Sequence, residues 1–508
     1  MRLPDKPGGV PYRRLVEALK KRRRSLTVAD AVAATALPLP LVQELLPRAA
    51  DEYSARLEVT ESGEILYSFP RTFASRYRGF KAGLKRFLAA LGGAVKVVAV
   101  WLFKVWIMVM LVGYFALFML IALAALMVSV AGSSSRDKRS RNDGGGFYLA
   151  SGIFDLIIRI WFYSELTRSL DRGYYGNYGG TRGSRPKGMH LDGSPHNRRP
   201  LNQAIFSFVF GEPDPNREAE EAEKKSLIAW LQRNSGIVSL PEYMALTGKT
   251  LPEAERGILA ACSEFGGMPE VTGDGTIVYR FDKLLFRSDK TGSDSGSPPA
   301  PLKRLRQFSA NKKSMNGWFA LINAVNLFFG AYFFSHSLFT GPILSLEQLK
   351  AAPLLYGFTY DYFSRLIADP LPLITVGLGL VPLAFSFIFW LIPAIRYFRE
   401  KKENQGIKLE NLRKTGFQRI WSKPRGLGAG DILGPSPEAS PQNLPAAQDR
   451  IIKDMAAYSM PELEADPSGN PVYNFAELER EKEDVTRYRA GIRPGDSELG
   501  KTVFDSGK

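Results

Sequence analysis

Residues 57–69 read LEVTESGEILYSF and residues 269–281 read PEVTGDGTIVYRF, and the fold turns on this pair. Seven of thirteen positions are identical, and the register runs back to Leu39-Pro40 and Leu251-Pro252. A weaker third copy, LPAAQDRIIKDMAAYSMPELEADPSGNPVYNF (444–475), aligns with 251–281 after a small insertion, so that Gly469, Tyr473 and Phe475 match Gly275, Tyr279 and Phe281. Self-similarity of this kind marks one structural unit used three times.

In each copy a short apolar strand meets a glycine turn (ESG, GDG, PSG) and a second strand alternating Ile or Val, Tyr and Phe. That pattern predicts a β-hairpin. Gly63, Gly275 and Gly469 supply positive φ at the turns, and Tyr67, Phe69, Tyr279, Phe281, Tyr473 and Phe475 form the hairpin cores. Upstream, the second copy predicts helices at 218–233, 240–247 and 251–265, with Pro252 suited to a first helical turn.

Helix, helix, helix, hairpin resembles the winged-helix order over about 70 residues per copy. The expectation is an α+β membrane protein with transmembrane helices and three winged-helix-like modules, at 1–75, 203–286 and 399–480, the last degenerate. A charged tail, 481–508, follows.

Between the modules lie apolar runs. Asn316–Phe339 and Leu371–Phe398 are each long enough to span a bilayer. Ala94–Ala131, within 76–131, has 38 residues, too many for one straight crossing. Basic flanks on both sides favour two crossings with a turn near Gly113. The other reading is one crossing plus a return through Phe147–Tyr163, a stretch otherwise read as an interfacial helix in the linker 132–202. Either way an even number of crossings is expected, four in all, with 340–370 as an external loop. A polar first 90 residues shows no cleavable signal.

The net charge is +16, which raises nucleic acid as a partner. Its distribution argues for lipid instead. Residues 71–93 carry six basic and no acidic side chains, and the linker 287–315 carries seven against two, whereas 212–286 and 432–508 are each net −5. Lys and Arg collect where membrane helices meet the cytoplasm. Arg76, Arg78, Lys81, Lys85, Arg86, Lys303, Arg304, Lys312, Lys313, Arg396, Arg399, Lys401 and Lys402 are therefore read as membrane-surface residues. A DNA role is expected only of the first module, through Gln43, Glu44, Arg48 and the run Lys20–Arg24. The third helices of the other two copies are acidic or near neutral.

No catalytic constellation is present, and no cofactor or metal is expected. Cys262 is the sole cysteine and reads as a core residue. His190, His196 and His336 lack ligand spacing. GLGAGD (426–431) reads as a flexible linker, NPVY (470–473) as part of the third hairpin, and RGYYGNYGGTRG (172–183) as a linker. Asp155, Arg159, Asp361 and Arg365 are minor candidates for an ion path.

From Phe206 the chain reads FSFVFGEPDPNREAEEAEKKSLIAWL. This resembles an uncharacterised membrane-protein family of bacteria and plastids, whose members carry a similar FSFVFG–DPN stretch before a repeated winged-helix-like unit. Some relatives bear a label tied to iron–sulfur cluster biosynthesis. The resemblance implies no catalytic residues, and one cysteine leaves such a cluster without ligands. The expected function is a non-enzymatic membrane scaffold for a protein partner, with its modules cytoplasmic or stromal. A membrane-tethered regulator and a transporter or assembly factor are the alternatives.

Overall fold

The computed structural model describes residues 9–21, 25–70, 72–73, 75–76, 95, 97–133, 200–288, 301–433, 444–467, 469–492 and 498–506. The chain mixes helices with small sheets and divides into two units. One takes the described parts of 1–87, 214–305 and 402–508, and the other those of 88–213 and 306–401.

The first unit holds three three-stranded antiparallel sheets built on the three sequence copies. The first copy pairs β1 (Arg56–Thr60) with β2 (Ile65–Ser68), the second β4 (Met268–Val271) with β5 (Ile277–Arg280), and the third β7 (Glu462–Ala465) with β8 (Pro471–Asn474). The tyrosine occupies the same register each time. Tyr67 faces Leu57 and bridges Leu26; Tyr279 faces Pro269 and Val238; Tyr473 faces Leu463 and Leu427. Val238 belongs to β3 (Ile237–Ser239) and Leu427 to β6 (Leu427–Gly428). These short pairings upstream of the hairpins were not foreseen, since two or three residues carry no period to read.

Immediately after this pairing each copy starts a helix by the same device. The main-chain N–H of Thr27, Ser239 and Gly428 donates to the carboxylate three residues on, that of Asp30 (3.1 Å), Glu242 (3.0 Å) and Asp431 (3.3 Å). GLGAGD is therefore the third copy's short strand and helix start, a correction to its reading as a linker. The second copy's helices run Ala219–Arg233, Leu240–Thr247 and Leu251–Phe265.

One apolar core joins the copies. It includes Leu15, Val42 and Leu46 from the first, Ile228, Met244, Ile258 and Phe281 from the second, and Phe417, Ile420, Ile451 and Phe475 from the third. Each such side chain contributes about 1.5–3 kcal/mol on burial. The three copies fold as one body. The expected charged tail is also structured: a helix, Ala476–Ala490, precedes β9 (Thr502–Asp505), which pairs with β1 across the whole length of the chain.

The second unit contains apolar helices. Val97–Ser129, Lys313–Phe339 and the start of Leu373–Ser422 are long and apolar enough to cross a membrane. The first is unbroken, and Gly113 lies inside it at the end of a π-helical stretch, Val109–Gly113, rather than in a turn. Val112 and Tyr114 flank it with side chains that favour helix over a turn in an apolar setting. At 1.5 Å per residue the helix is about 50 Å long. The alternative return at 147–163 lies outside the described residues.

Lys313–Phe339 packs against the third apolar helix through glycine. A Cβ on Gly379 would lie 2.8 Å from the Phe334 Cα, and one on Gly330 would lie 2.9 Å from the Leu383 nitrogen. Glycine, with no side chain, is what lets two helix backbones approach this closely. The expected external loop 340–370 folds into two helices, Leu346–Ala351 and Leu354–Ser364. Its Tyr356 and Tyr360 are buried among Phe118, Phe333 and Ile374.

Candidate interaction surface and buried polar clusters

The three turns share one geometry. Gly63, Gly275 and Gly469 take φ of 78°, 92° and 81°. Their N–H groups donate to Thr60, Thr272 and Asp466 carbonyls at 2.9, 3.1 and 2.9 Å. Of the aromatic residues, Tyr67, Phe281 and Phe475 are buried, while Phe69, Tyr279 and Tyr473 pack against the core in part. Other apolar residues of the hairpins are left bare. Met268, Val271 and Ile277 on the second copy, and Met460 and Leu463 on the third, are each more than half exposed. Val271 and Ile277 are direct cross-strand partners, so their side chains form one patch.

The Ala476–Ala490 helix docks on the second copy. Val485 packs with Ile237 and Val278. Arg489 donates to the Glu242 carboxylate through both terminal nitrogens, one at 2.8 Å, and to the Ile237 carbonyl at 2.9 Å. Tyr488 donates to Glu270 at 2.5 Å and Thr272 to Asp484. On the same helix Glu481 accepts from the Tyr458 hydroxyl at 2.7 Å. Burial, with Glu242, Glu477 and Asp484 nearby, pushes the Glu481 carboxyl up to about 7.

A second polar cluster was not foreseen, because its members are scattered in sequence. A recess of about 20 Å³, room for one water, is lined by Glu223, Thr247, Lys303, Glu410, Asn411 and Lys414. Burial lowers the Lys414 ammonium to about 8, Lys303 adding to the effect and Glu223 and Glu410 opposing it. Lys303 pairs with Glu410 at 2.5 Å. The segment after residue 300 is also held by two asparagine amides. Asn411 exchanges two hydrogen bonds with the Lys303 main chain (3.0 and 2.8 Å), and Asn216 two with that of Arg304 (2.8 and 2.7 Å). This is a correction for Lys303, which was assigned to the lipid surface.

In the second unit the FSFVFG stretch forms a short helix, Leu201–Phe210, whose Phe208 ring meets Phe308, Phe319 and Phe389. Residues 203–213 thus belong with the apolar helices, not with the second copy as expected. Arg396 was also assigned to the surface. Its side chain is only 12% exposed, its guanidinium donating to the Phe208 carbonyl at 2.8 Å, facing Glu400 at 3.3 Å and lying 4.3 Å over the Phe308 ring. Arg304, Lys312, Lys313, Arg399, Lys401 and Lys402 are exposed, and Arg76 lies 3.7 Å from Asp51. Arg78, Lys81, Lys85 and Arg86 lie outside the described residues, as do His190, His196, residues 172–183, Asp155 and Arg159.

Asp361 and Arg365 pair with each other at 2.6 Å on an exposed helix face. An apolar groove of about 400 Å³ lies among Ala122, Ala125, Phe328, Tyr332 and Leu354. The residues present do not fit an iron–sulfur cluster. Cys262 is the only cysteine, its thiol pushed up to about 11 by burial, and no group of three His, Cys, Asp or Glu among the described residues could hold a metal.

No family model matches the chain, and no solved structure matches it significantly. The chain is similar to an uncharacterised chloroplastic protein of Arabidopsis thaliana, at 25% identity over 439 residues, covering 82% of this chain and 76% of that relative.

Proposed function

We propose that the chain is a non-enzymatic, multi-pass membrane scaffold whose three copies are winged-helix-like modules presented to a protein partner. The observation that carries this reading is the bare apolar residues of the hairpins, above all the cross-strand Val271–Ile277 pair, 67% and 55% exposed. Exposed apolar side chains gathered in one place mark interaction sites. The order helix, strand, helix, helix, hairpin in the second copy supports the winged-helix comparison.

The membrane reading rests on the second unit. Lys104 over the Phe206 ring, Trp106 against Phe385 and Phe308 against Tyr397 bring together the start of the first apolar helix and the end of the third. Phe208 against Phe319 adds the start of the second. That end carries the exposed Lys312, Lys313, Arg399 and Lys401, as a cytoplasmic or stromal boundary should. The relative's chloroplastic name favours a plastid membrane.

A nucleic-acid role for residues 1–75 has less support, because Arg48 is held by Glu44 at 2.7 Å. Transport has less support too, because the groove in the second unit is apolar.

The test is crosslinking mass spectrometry on the full chain in its native membrane, with and without the double substitution Val271→Glu, Ile277→Glu. We expect crosslinks from the second hairpin to one partner, lost in the variant at unchanged thermal midpoint. Identical crosslinks from both proteins would overturn the reading.

A further inference from the structure

The outer strand of the first copy's sheet comes from the far end of the chain, 440 or so residues away. Between β1 and β9 the facing pairs are Glu58 with Asp505, Val59 with Phe504 and Thr60 with Thr502. The Ser506 N–H donates to the Leu57 carbonyl at 2.9 Å, Glu61 to Lys501 at 2.9 Å and Ser62 to Leu499 at 3.3 Å. The Leu57 N–H donates to the Ser506 hydroxyl at 2.8 Å, and Arg56 donates to the Asp505 carboxylate through two nitrogens, one at 2.7 Å.

What this strand lacks is burial. Val503 is 70% and Phe504 60% exposed, so main-chain and side-chain hydrogen bonds and the Arg56–Asp505 pair, rather than apolar burial, hold it in place. A segment with so little apolar contact opens far more readily than the core beneath it. The other two hairpins protect the equivalent edge differently. β4 carries Pro269, which has no N–H to offer, and β7 carries Glu462 and Glu464 on an edge where charge discourages pairing. Of the three described hairpins, β1 is the one whose outer edge takes a strand.

We infer that the β1 edge is a strand-docking site, occupied in cis by the C-terminal strand, and that it accepts an extended segment of a partner protein. The partner's chemistry follows from what β9 provides: β-branched and aromatic residues at successive positions, then a carboxylate within reach of Arg56. Main-chain pairing gives such sites their affinity, and the charged anchor sets the register. The inference rests on the interaction reading above and names the partner's chemistry.

The test uses the full chain in detergent, truncated before Glu498, and a fluorescent synthetic peptide of residues 498–508. We expect saturable binding to the truncated chain, at least tenfold weaker binding to the intact chain, and loss of binding on Arg56→Ala in the truncated background. A second way of vacating the edge, Phe504→Pro in the intact chain, should restore binding. Equal binding by intact and truncated chains, or none by a truncated or Phe504→Pro chain that melts normally, would overturn the proposal. Those results leave the Val271–Ile277 crosslinks untouched, so this inference and the scaffold reading fail separately.

Discussion

The side-chain amide of Asn326 donates to the main-chain carbonyl of Leu111 at 2.7 Å, at the point where the first apolar helix winds as a π-helix. A π-turn leaves main-chain groups out of step with the ordinary helical ladder. In an apolar surrounding such a group must find another donor. The second π-helical stretch, Leu373–Leu380, is met the same way, by the Tyr114 hydroxyl on the Gly377 carbonyl at 2.9 Å. Substituting Asn326→Leu should lower stability in detergent by about 1 kcal/mol, in line with interhelical hydrogen bonds in membranes. Thermal unfolding would show it, and an unchanged midpoint would count against the role.

Glycine contact between the second and third apolar helices makes a sharper claim. Gly379→Val should prevent stable folding, since its Cβ would meet the Phe334 main chain at 2.8 Å. Gly317→Ala, on the same helix as Phe334 but with nothing within 4 Å, should leave the midpoint unchanged or raised. Monodispersity on gel filtration would separate the two outcomes.

The Glu242–Arg489 pair is nearly enclosed, with side chains 2% and 17% exposed. Removing one partner strands a buried charge. Arg489→Met should cost about 3–5 kcal/mol, while Glu242→Met with Arg489→Met should recover much of it. Denaturant melts of the three proteins would settle the sign, and additive losses would refute the coupling.

Glu481 sets a pH dependence. Its folded-state carboxyl titrates near 7 against 4.5 when exposed. Below 4.5 both states hold the proton. As pH rises from 4.5 to 7 the unfolded state releases it first, so stability falls across that window and levels off above it. Glu481→Gln should therefore raise the melting temperature at pH 8 and change little at pH 4.5. A gain of equal size at both values would argue against titration as the cause.

The placement of Leu201–Phe210 predicts sidedness. On the proposed membrane reading, engineered cysteines at Gln203 and at Ser345 should label from opposite faces of the membrane with an impermeant maleimide. Cys262, its thiol raised by burial, should label slowly and leave little background. Labelling of both sites from one face would refute the topology.

Much of this architecture was legible in the residues. Three glycine turns, their flanking tyrosines and the helices before them follow from spacing of 2 and 3.6 residues and from φ at glycine, all local properties. The candidate surface was less so. Tyr67, Tyr279 and Tyr473 announced the hairpins, but nothing along the chain says that Val271 and Ile277 are left bare.

Sequence alone determined the repeat, the apolar runs and the charge that borders them, because periodicity and composition act over a few turns of chain. Tertiary structure alone decided that Leu26, Val238 and Leu427 pair with those tyrosines and that Thr502–Asp505 joins β1. It also decided that Arg396 turns inward to the Phe208 carbonyl and that one helix runs unbroken through Gly113. Each depends on partners tens to hundreds of residues away. Hydrogen-bond satisfaction and packing choose among them only once the chain has collapsed.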